Sequence, residues 1–314
     1  MSFTNMNQPD KKDLYSYKHD EFRKKIPTEH LQTVNPEKQR KNCKEFFEKN
    51  VHLWNTYYDD KEGNPYKHNL VILKSILQNY DSTNTLLDLG CGTGIPLLEF
   101  LKMGFSAQGC DFVDKSIDLT KQRLKEHDFD DNLVFSLDIE DSSTLSSQKF
   151  DIITSVGLFP HIIDDKQALQ NTKSMLNDDG IVLIQYRNDL FNLFTLNAYS
   201  EDFFKRLIDF DTLPDIFKKS LDDFYAQNLS PAAINSQFGL ISKFHNPLNI
   251  ENELYKPMGF EIKNIHFFHY HRLPPIFQTY DNKLFRKLSD DIEDPSDWRG
   301  HFLASSFIVE AQLK

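Results

Sequence analysis

The sequence predicts an α/β fold organised around a doubly wound parallel sheet, and three observations carry that expectation. Strand-type and helix-type patterns alternate through five successive strands between residues 85 and 186, the signature of βαβ units laid side by side. The first strand runs straight into a glycine turn, Asp88-Leu89-Gly90-Cys91-Gly92-Thr93-Gly94, and a helical pattern of Ile95, Leu97, Leu98, Phe100 and Leu101 follows at once. Three of the strands end in an aspartate, Asp88, Asp111 and Asp138. In sheets of this kind ligands sit outside the carboxyl ends of the strands, so all three acids fall where a ligand would be held.

The chain has 314 residues, enough for one large domain or one domain with an elaborate insertion. Apolar residues make up 39% and include 27 Phe, so a sizeable core can form. The mean hydropathy of −0.54 suits a soluble chain. A net charge of −11 repels phosphate backbones and argues against DNA or RNA as the main partner. Cys43, Cys91 and Cys110 show no C-x-x-C spacing, which suggests neither a disulfide framework nor a zinc knuckle. Residues 1–12 are polar with no apolar h-region, and no segment approaches the roughly 18 apolar residues of a membrane span. A cytoplasmic protein is expected.

Residues 1–45 are charged and poor in aliphatics, and are expected to be an N-terminal extension, part mobile tail and part solvated helix. From Glu45, the pattern Phe46, Phe47, Val51, Leu53, Trp54 and Tyr57 suggests an amphipathic helix, ended by Asp59-Asp60-Lys61-Glu62-Gly63-Asn64-Pro65. A second helix over 68–80 carries Leu70, Val71, Leu73, Ile76 and Leu77 at helical spacing. In the glycine turn the missing Cβ atoms let the backbone bend sharply and approach a ligand. The helix after it aims free N–H groups and a positive dipole end at the same place. A dinucleotide site would carry G-x-G-x-x-G around a pyrophosphate, where an extra carboxylate is unwelcome. Here the spacing is G-x-G-x-G with Asp88 in front, which suits a cationic ligand better.

Residues 88–94 resemble motif I of the class I S-adenosylmethionine (SAM)-dependent methyltransferases. The resemblance implies a Rossmann-like, seven-stranded doubly wound sheet, with SAM as cofactor beside Asp88, Gly90, Cys91, Gly92 and Gly94. The second strand, 106–110, ends in Asp111. An acid there can accept from both hydroxyls of a ribose, so Asp111 matches the family's ribose-binding acid, with Phe112 placed to lie on the adenine. Asp114 reads instead as the cap of a helix over 115–127. The third strand, 133–137, ends in Asp138-Ile139, where the family commonly has an acid that accepts from the adenine amine and an apolar neighbour. The fourth strand, 150–155, delivers Ser155 and Val156 to the cofactor set and runs into Gly157-Leu158-Phe159-Pro160-His161-Ile162. In the family a histidine is frequent in this segment and faces the methyl donor; His161 has a second reading as a cap of the next element. Upstream aromatics often close over the cofactor in this family. Trp54, Tyr57, Tyr58 and Tyr66 stand there, with core packing as the alternative for each and Tyr66 as the candidate singled out.

A helix over 166–176 and the turn Asn177-Asp178-Asp179-Gly180 lead to a fifth strand, 181–186. Arg187-Asn188-Asp189 then opens an insertion that reaches residue 249, with helices expected at 201–210 and 215–228. Because it leaves the sheet at the ligand edge, it is expected to be a helical lid that shapes the acceptor pocket; a homodimerisation arm is the alternative. The expected division is therefore an extension (1–45), a cofactor-binding core (46–190), a lid (191–249) and a C-terminal part of the core (250–314). That last part holds a short helix near 250–258, a sixth strand (261–271), about 30 residues of extra chain and a seventh strand (305–312). At a period of two, His269 and His271 share one face of the sixth strand and His266 and Tyr270 the other. A His-x-His pair with His161 can ligate a metal, yet no acidic or cysteine ligand lies near in sequence, so none is expected.

Methyl transfer from a sulfonium mainly requires two reactants to be positioned, with proton removal where the acceptor is a hydroxyl. Histidine, with a pKa of about 6.5, suits that step at neutral pH. His161 is the first choice, with His269 and His271 behind it, and Arg187 and Arg272 are placed to grip a carboxylate or phosphate. The expected activity is SAM-dependent methylation of a small-molecule acceptor. O-methylation of a sugar or acidic metabolite is favoured, because residues 186–191 and 269–275 look similar to segments of bacterial methyltransferases of surface-glycan and sugar biosynthesis. Two alternatives stay open: a protein or nucleic-acid methyltransferase, and a non-catalytic SAM-binding scaffold subunit. The absence of an Asn/Asp-Pro-Pro-Tyr/Phe motif after the fourth strand speaks against base N-methylation.

Overall fold

The computed structural model describes residues 36–54, 67–145, 147–229 and 243–314. Five strands, β1 (Thr85–Leu89), β2 (Ser106–Asp111), β3 (Val134–Ser136), β4 (Phe150–Ser155) and β5 (Leu176–Arg187), pair in parallel. Two long strands, β6 (Phe260–Tyr270) and β7 (Ala304–Leu313), complete a seven-stranded sheet in the order β3-β2-β1-β4-β5-β7-β6. β7 is antiparallel to both of its neighbours. Strand order reverses between β1 and β4, and the crevice that such a reversal opens is where α/β sheets bind ligands.

The strands read as nearly continuous apolar runs because both faces are covered. Leu87, Ile153, Val182 and Ile184 pack with Leu169, Met175 and Tyr255 on one side. Leu86, Ile152, Ile181 and Leu183 pack with Leu73, Leu77 and Phe100 on the other. Each fully buried Leu or Ile stabilises the fold by about 1.5–3 kcal/mol over its exposed state. The covering helices are α2 (Lys67–Leu77), α3 (Ile95–Lys102), α4 (Asp114–Glu126) and α5 (Asp165–Ser174). α5 is capped by Asp164, whose carboxylate accepts from the backbone N–H of Lys166 and Gln167. α4 differs from expectation: its cap residue is Val113, with no side-chain cap, and the exposed Asp114 pairs with Lys44 at 3.0 Å instead.

The first helix, α1 (Pro36–Trp54), starts well ahead of the expected Glu45, inside the charged stretch. Gln39 and Cys43, four residues apart, are buried. The few inward residues lie among charged ones, so composition concealed where the helix begins. β5 runs through the expected turn, with Asp179 at φ +62° where the pairing with β4 is irregular. After β5 come α6 (Ala198–Leu207), begun by the Asn197 side chain accepting from Tyr199 N–H, and α7 (Asp215–Asn228). The short helix expected near 250–258 is one wide turn, Glu251–Tyr255, followed by one tight turn, Lys256–Met258. The chain between β6 and β7 contains α8 (Asn282–Asp290) and α9 (Gly300–Leu303).

The face assignment along β6 is corrected at its end. His269 takes φ +59°, and the Glu293 carboxylate accepts from the N–H of His269 at 2.6 Å and of Tyr270 at 3.0 Å. That kink breaks the period of two. Phe267 and Tyr270 join one core cluster and Phe268 the other, so Tyr270 does not share the face of His266. Among the described residues no helix is long and apolar enough to cross a membrane.

Candidate functional site

A cavity of about 500 Å³ lies beyond the carboxyl ends of the central strands, lined also by α1 and by part of the chain after β5. Its floor is the glycine turn. Gly94 sits at φ +74°, and a Cβ there would stand 2.5 Å from Thr120 Cγ2. Thr120 Oγ1 in turn donates to the carbonyl of Gly92 at 2.8 Å. Gly94 therefore seats the turn on α4 and does not line the cavity. Gly92, at φ +54°, has open space where a Cβ would be, and with Gly90 and Cys91 it forms the surface that a ligand meets.

Asp111 is tied to that turn from below: Oδ2 accepts from Gly92 N–H at 3.0 Å and Oδ1 from Val113 N–H at 2.9 Å. Burial pushes its pKa up to about 6 despite those bonds. Asp88 is more isolated. Oδ1 accepts from Thr154 Oγ1 at 3.0 Å, while the buried Oδ2 has no partner. Burial, with the nearby Asp111 charge adding to it, pushes this carboxyl up to about 7. Gln185 Oε1, at the end of β5, is a second buried acceptor without a partner on the cavity wall. Asp138 pairs with Arg40 of α1 and accepts from Glu140 N–H at 3.0 Å. Phe112, Ile139 and Val156 complete this wall, and Ser155 lies fully buried behind it, off the cavity.

The histidine and arginine candidates come from the segments that follow β4 and from the ends of β5 and β6. His161 ends the short turn Phe159–His161, and its ring meets Phe47 of α1 edge-on at 5.4 Å. Arg187, the last residue of β5, lines the same cavity, and its guanidinium has no hydrogen-bond or ion-pair partner among the described residues. His269 also lines it, with Nε2 2.9 Å from Arg286 Nη1 and Nδ1 2.7 Å from Ser305 Oγ. Arginine only donates, so Nε2 is the acceptor and Nδ1 carries the proton. Burial, then the neighbouring His271 and Arg286 charges, hold the His269 pKa well below its ordinary value.

His271 is buried behind His269, off the cavity, with its ring 4.8 Å from that of Phe191 and neither nitrogen hydrogen-bonded. Burial and Arg286 lower its pKa to about 3. Arg272 is exposed and outside the cavity. Tyr57, Tyr58 and Tyr66 lie outside the described residues. Among the described residues no group of three His, Cys, Asp or Glu side chains is placed to hold a metal ion.

Several wall residues had gone unrecognised in the sequence: Gln39 and Arg40 from α1, Gln185 from β5, and Asn192, Asn197, Tyr199 and Phe244 from the chain after β5. Gln185 alone carried a signal, a polar residue between the buried Ile184 and Tyr186.

Residues 80–227 match a family described as methyltransferase domain. The ubiquinone biosynthesis O-methyltransferase of Actinobacillus pleuropneumoniae serotype 7 is 26% identical over 118 residues, 36% of this chain and 48% of that protein. The glycine N-methyltransferase of Mus musculus is 27% identical over 150 residues, 43% of this chain and 50% of that protein. The chain thus spans about half the length of these relatives. Among solved structures, magnesium protoporphyrin IX methyltransferase from Synechocystis, with bound SAH, superposes at a TM-score of 0.54 with 12% identity, over 88% of this chain and all of that one. The cyclase SpnF superposes at 0.51, also with 12% identity, over 86% of this chain and 94% of that one. The same fold thus carries more than one kind of chemistry. The domain match runs through the glycine turn, Asp111 and the strands that frame them, so residues 80–227 are similar to a methyltransferase domain, and the seven-stranded sheet has the Rossmann-like fold of the class I methyltransferases.

Proposed function

We propose that this chain binds SAM on the acidic wall of the cavity and transfers its methyl group to an oxygen of a small-molecule acceptor held on the opposite wall. The observation that carries this reading is the buried, half-satisfied Asp88 beside the open backbone of Gly92. Unsatisfied acceptors such as Asp88 Oδ2 and Gln185 Oε1 favour a donor-rich cation, and the cluster of Asp88, Asp111, Asp138 and Glu140 is unsuited to a pyrophosphate. In this reading Asp111 accepts from the ribose hydroxyls, Phe112 and Ile139 flank the adenine, and Asp138 stands near its amine.

SAM, when bound, supplies a methyl group already activated on a sulfonium. The protein's remaining tasks are to exclude water, orient the acceptor and take a proton. We assign the proton to an imidazole nitrogen of His161. His269 is a weaker base because Arg286 occupies its Nε2, and the buried His271 does not reach the cavity. The described parts of the chain after β5, residues 191–229 and 243–249, act as the lid, since Asn192, Asn197, Tyr199 and Phe244 line the cavity. The relatives include both an O- and an N-methyltransferase, so the choice of oxygen rests on His161 alone.

The test begins with labelled SAM and a metabolite extract, from which the labelled product identifies the acceptor. On that acceptor His161→Ala should lower kcat by about 10²–10⁴ while SAM still binds. The wild-type rate should rise with pH through a histidine-like group, and the variant should lack that limb. A drop in kcat of less than about threefold, or a retained limb, would remove His161 from the reaction.

A further inference from the structure

The cavity is divided by charge. Its acids, Asp88, Asp111, Asp138 and Glu140, all come from the β1–β3 side. The wall built by the end of β5, the chain after it and the start of β7 offers Arg187 and neutral polar groups, among them Asn192, Asn197, Tyr199 and Ser305, and among the described residues no carboxylate.

Acids do lie close to that wall in sequence or space, but each is engaged elsewhere. Asp189 receives a two-point contact from Arg206, at 2.8 and 3.0 Å. Glu293 is turned to the backbone N–H groups of His269 and Tyr270. Arg187 is left with no counter-ion among the described residues. Arg286 lies off the cavity, buried behind His269 with Nη1 on that ring and Nη2 on Gln278 Oε1 at 3.1 Å. A guanidinium on a cavity wall with no counter-charge is costly, and a carboxylate matches its planar fork with two parallel hydrogen bonds. Phe191, Phe244 and Pro275 on the same wall supply an apolar surface for the rest of the ligand.

Building on the methyltransferase reading above, we propose that the acceptor is a carboxylic acid with an apolar, aromatic-sized body, anchored by its carboxylate on Arg187. One free guanidinium balances one negative charge, which favours a carboxylate over a phosphate dianion. The anchor is a positioning contact, and the methylated oxygen is a separate group of the same molecule presented to His161.

The experiment titrates benzoate, benzamide and inorganic phosphate into the full chain saturated with S-adenosylhomocysteine, by calorimetry. Benzoate should bind about tenfold or more tighter than its neutral isostere benzamide, and tighter than phosphate. Arg187→Gln should erase that preference and Arg187→Lys should retain part of it, with S-adenosylhomocysteine affinity in both within about threefold of wild type. Equal binding of benzoate and benzamide, or a preference that survives Arg187→Gln, overturns the proposal, and phosphate binding as tightly as benzoate overturns the choice of carboxylate. A loss of about tenfold in S-adenosylhomocysteine affinity in Arg187→Gln overturns it too, because the guanidinium then serves the cofactor's own carboxylate. Failure of the wild type to bind S-adenosylhomocysteine sinks the methyltransferase reading instead, and the benzoate preference is then read on the free protein.

Discussion

At the scale of single residues the site is defined by what is left unsatisfied. A carboxylate oxygen buried without a partner is held near the boundary between its charged and neutral forms, and Asp88 is such a group. Its pKa is raised from 3.8 to about 7 in the fold, so the folded protein keeps a proton that the unfolded chain has released between those values. Stability of the ligand-free protein should therefore fall as pH rises through that window. Asp88→Asn should flatten the fall, as measured by urea denaturation across the range. A cation bound beside Asp88 would favour the ionised form. Calorimetry at about pH 6.5 in buffers of different ionisation enthalpy should then show proton release on SAM binding that Asp88→Asn loses. If the two proteins release the same number of protons, Asp88 does not face the cation. The histidines show the opposite case. The resemblance put His161 ahead of His269 and His271, but only packing shows what each ring touches, because the partners of an imidazole nitrogen come from elements far apart in the chain.

At the scale of elements the glycine turn was legible because its constraint is local. Gly94 needs a left-handed backbone and has no room for a Cβ beside Thr120. Gly94→Ala should cost about 1–3 kcal/mol in denaturant unfolding through strain and overpacking. It should also weaken SAM binding, since moving Thr120 frees the carbonyl of Gly92. An alanine variant of wild-type stability would mean that the turn relaxes freely. The start of α1 and the end of β6 were illegible for a matching reason. The helix shows its few inward residues only against the sheet, and the kink at His269 is held by Glu293, whose carboxylate is 24 residues away in sequence.

At the scale of the molecule the chain after β5 is fastened to the core at both ends. Its return segment donates from Lys243 N–H to Pro160 O, next to His161, and from His245 N–H to Arg187 O, each at 2.8 Å. Lys243 pairs with Asp165, and His245 Nε2 stands 3.2 Å from the same carboxylate. Burial alone would raise the Asp165 pKa, but the His245 hydrogen bond and the Lys243 charge outweigh it and hold the group below its ordinary value. Asp165→Ala should leave the Lys243 ammonium without its counter-ion and His245 Nε2 without its partner, cost on the order of 3 kcal/mol in stability, and raise the KM for the acceptor while SAM affinity holds. An unchanged acceptor KM would separate this tie from the acceptor wall.

The sequence by itself determined the alternation of strands and helices, the glycine turn, the acids at Asp88 and Asp111, and hence the resemblance to the methyltransferase domain. Each is a local pattern, written in residues that are neighbours along the chain. Only the tertiary structure decided that Arg286 occupies His269, that His271 is sealed away, that Gln185 is an unsatisfied acceptor and that Arg187 has no counter-ion among the described residues. Those properties are sums over groups from separate elements, and burial and charge pairing exist only once the elements have packed.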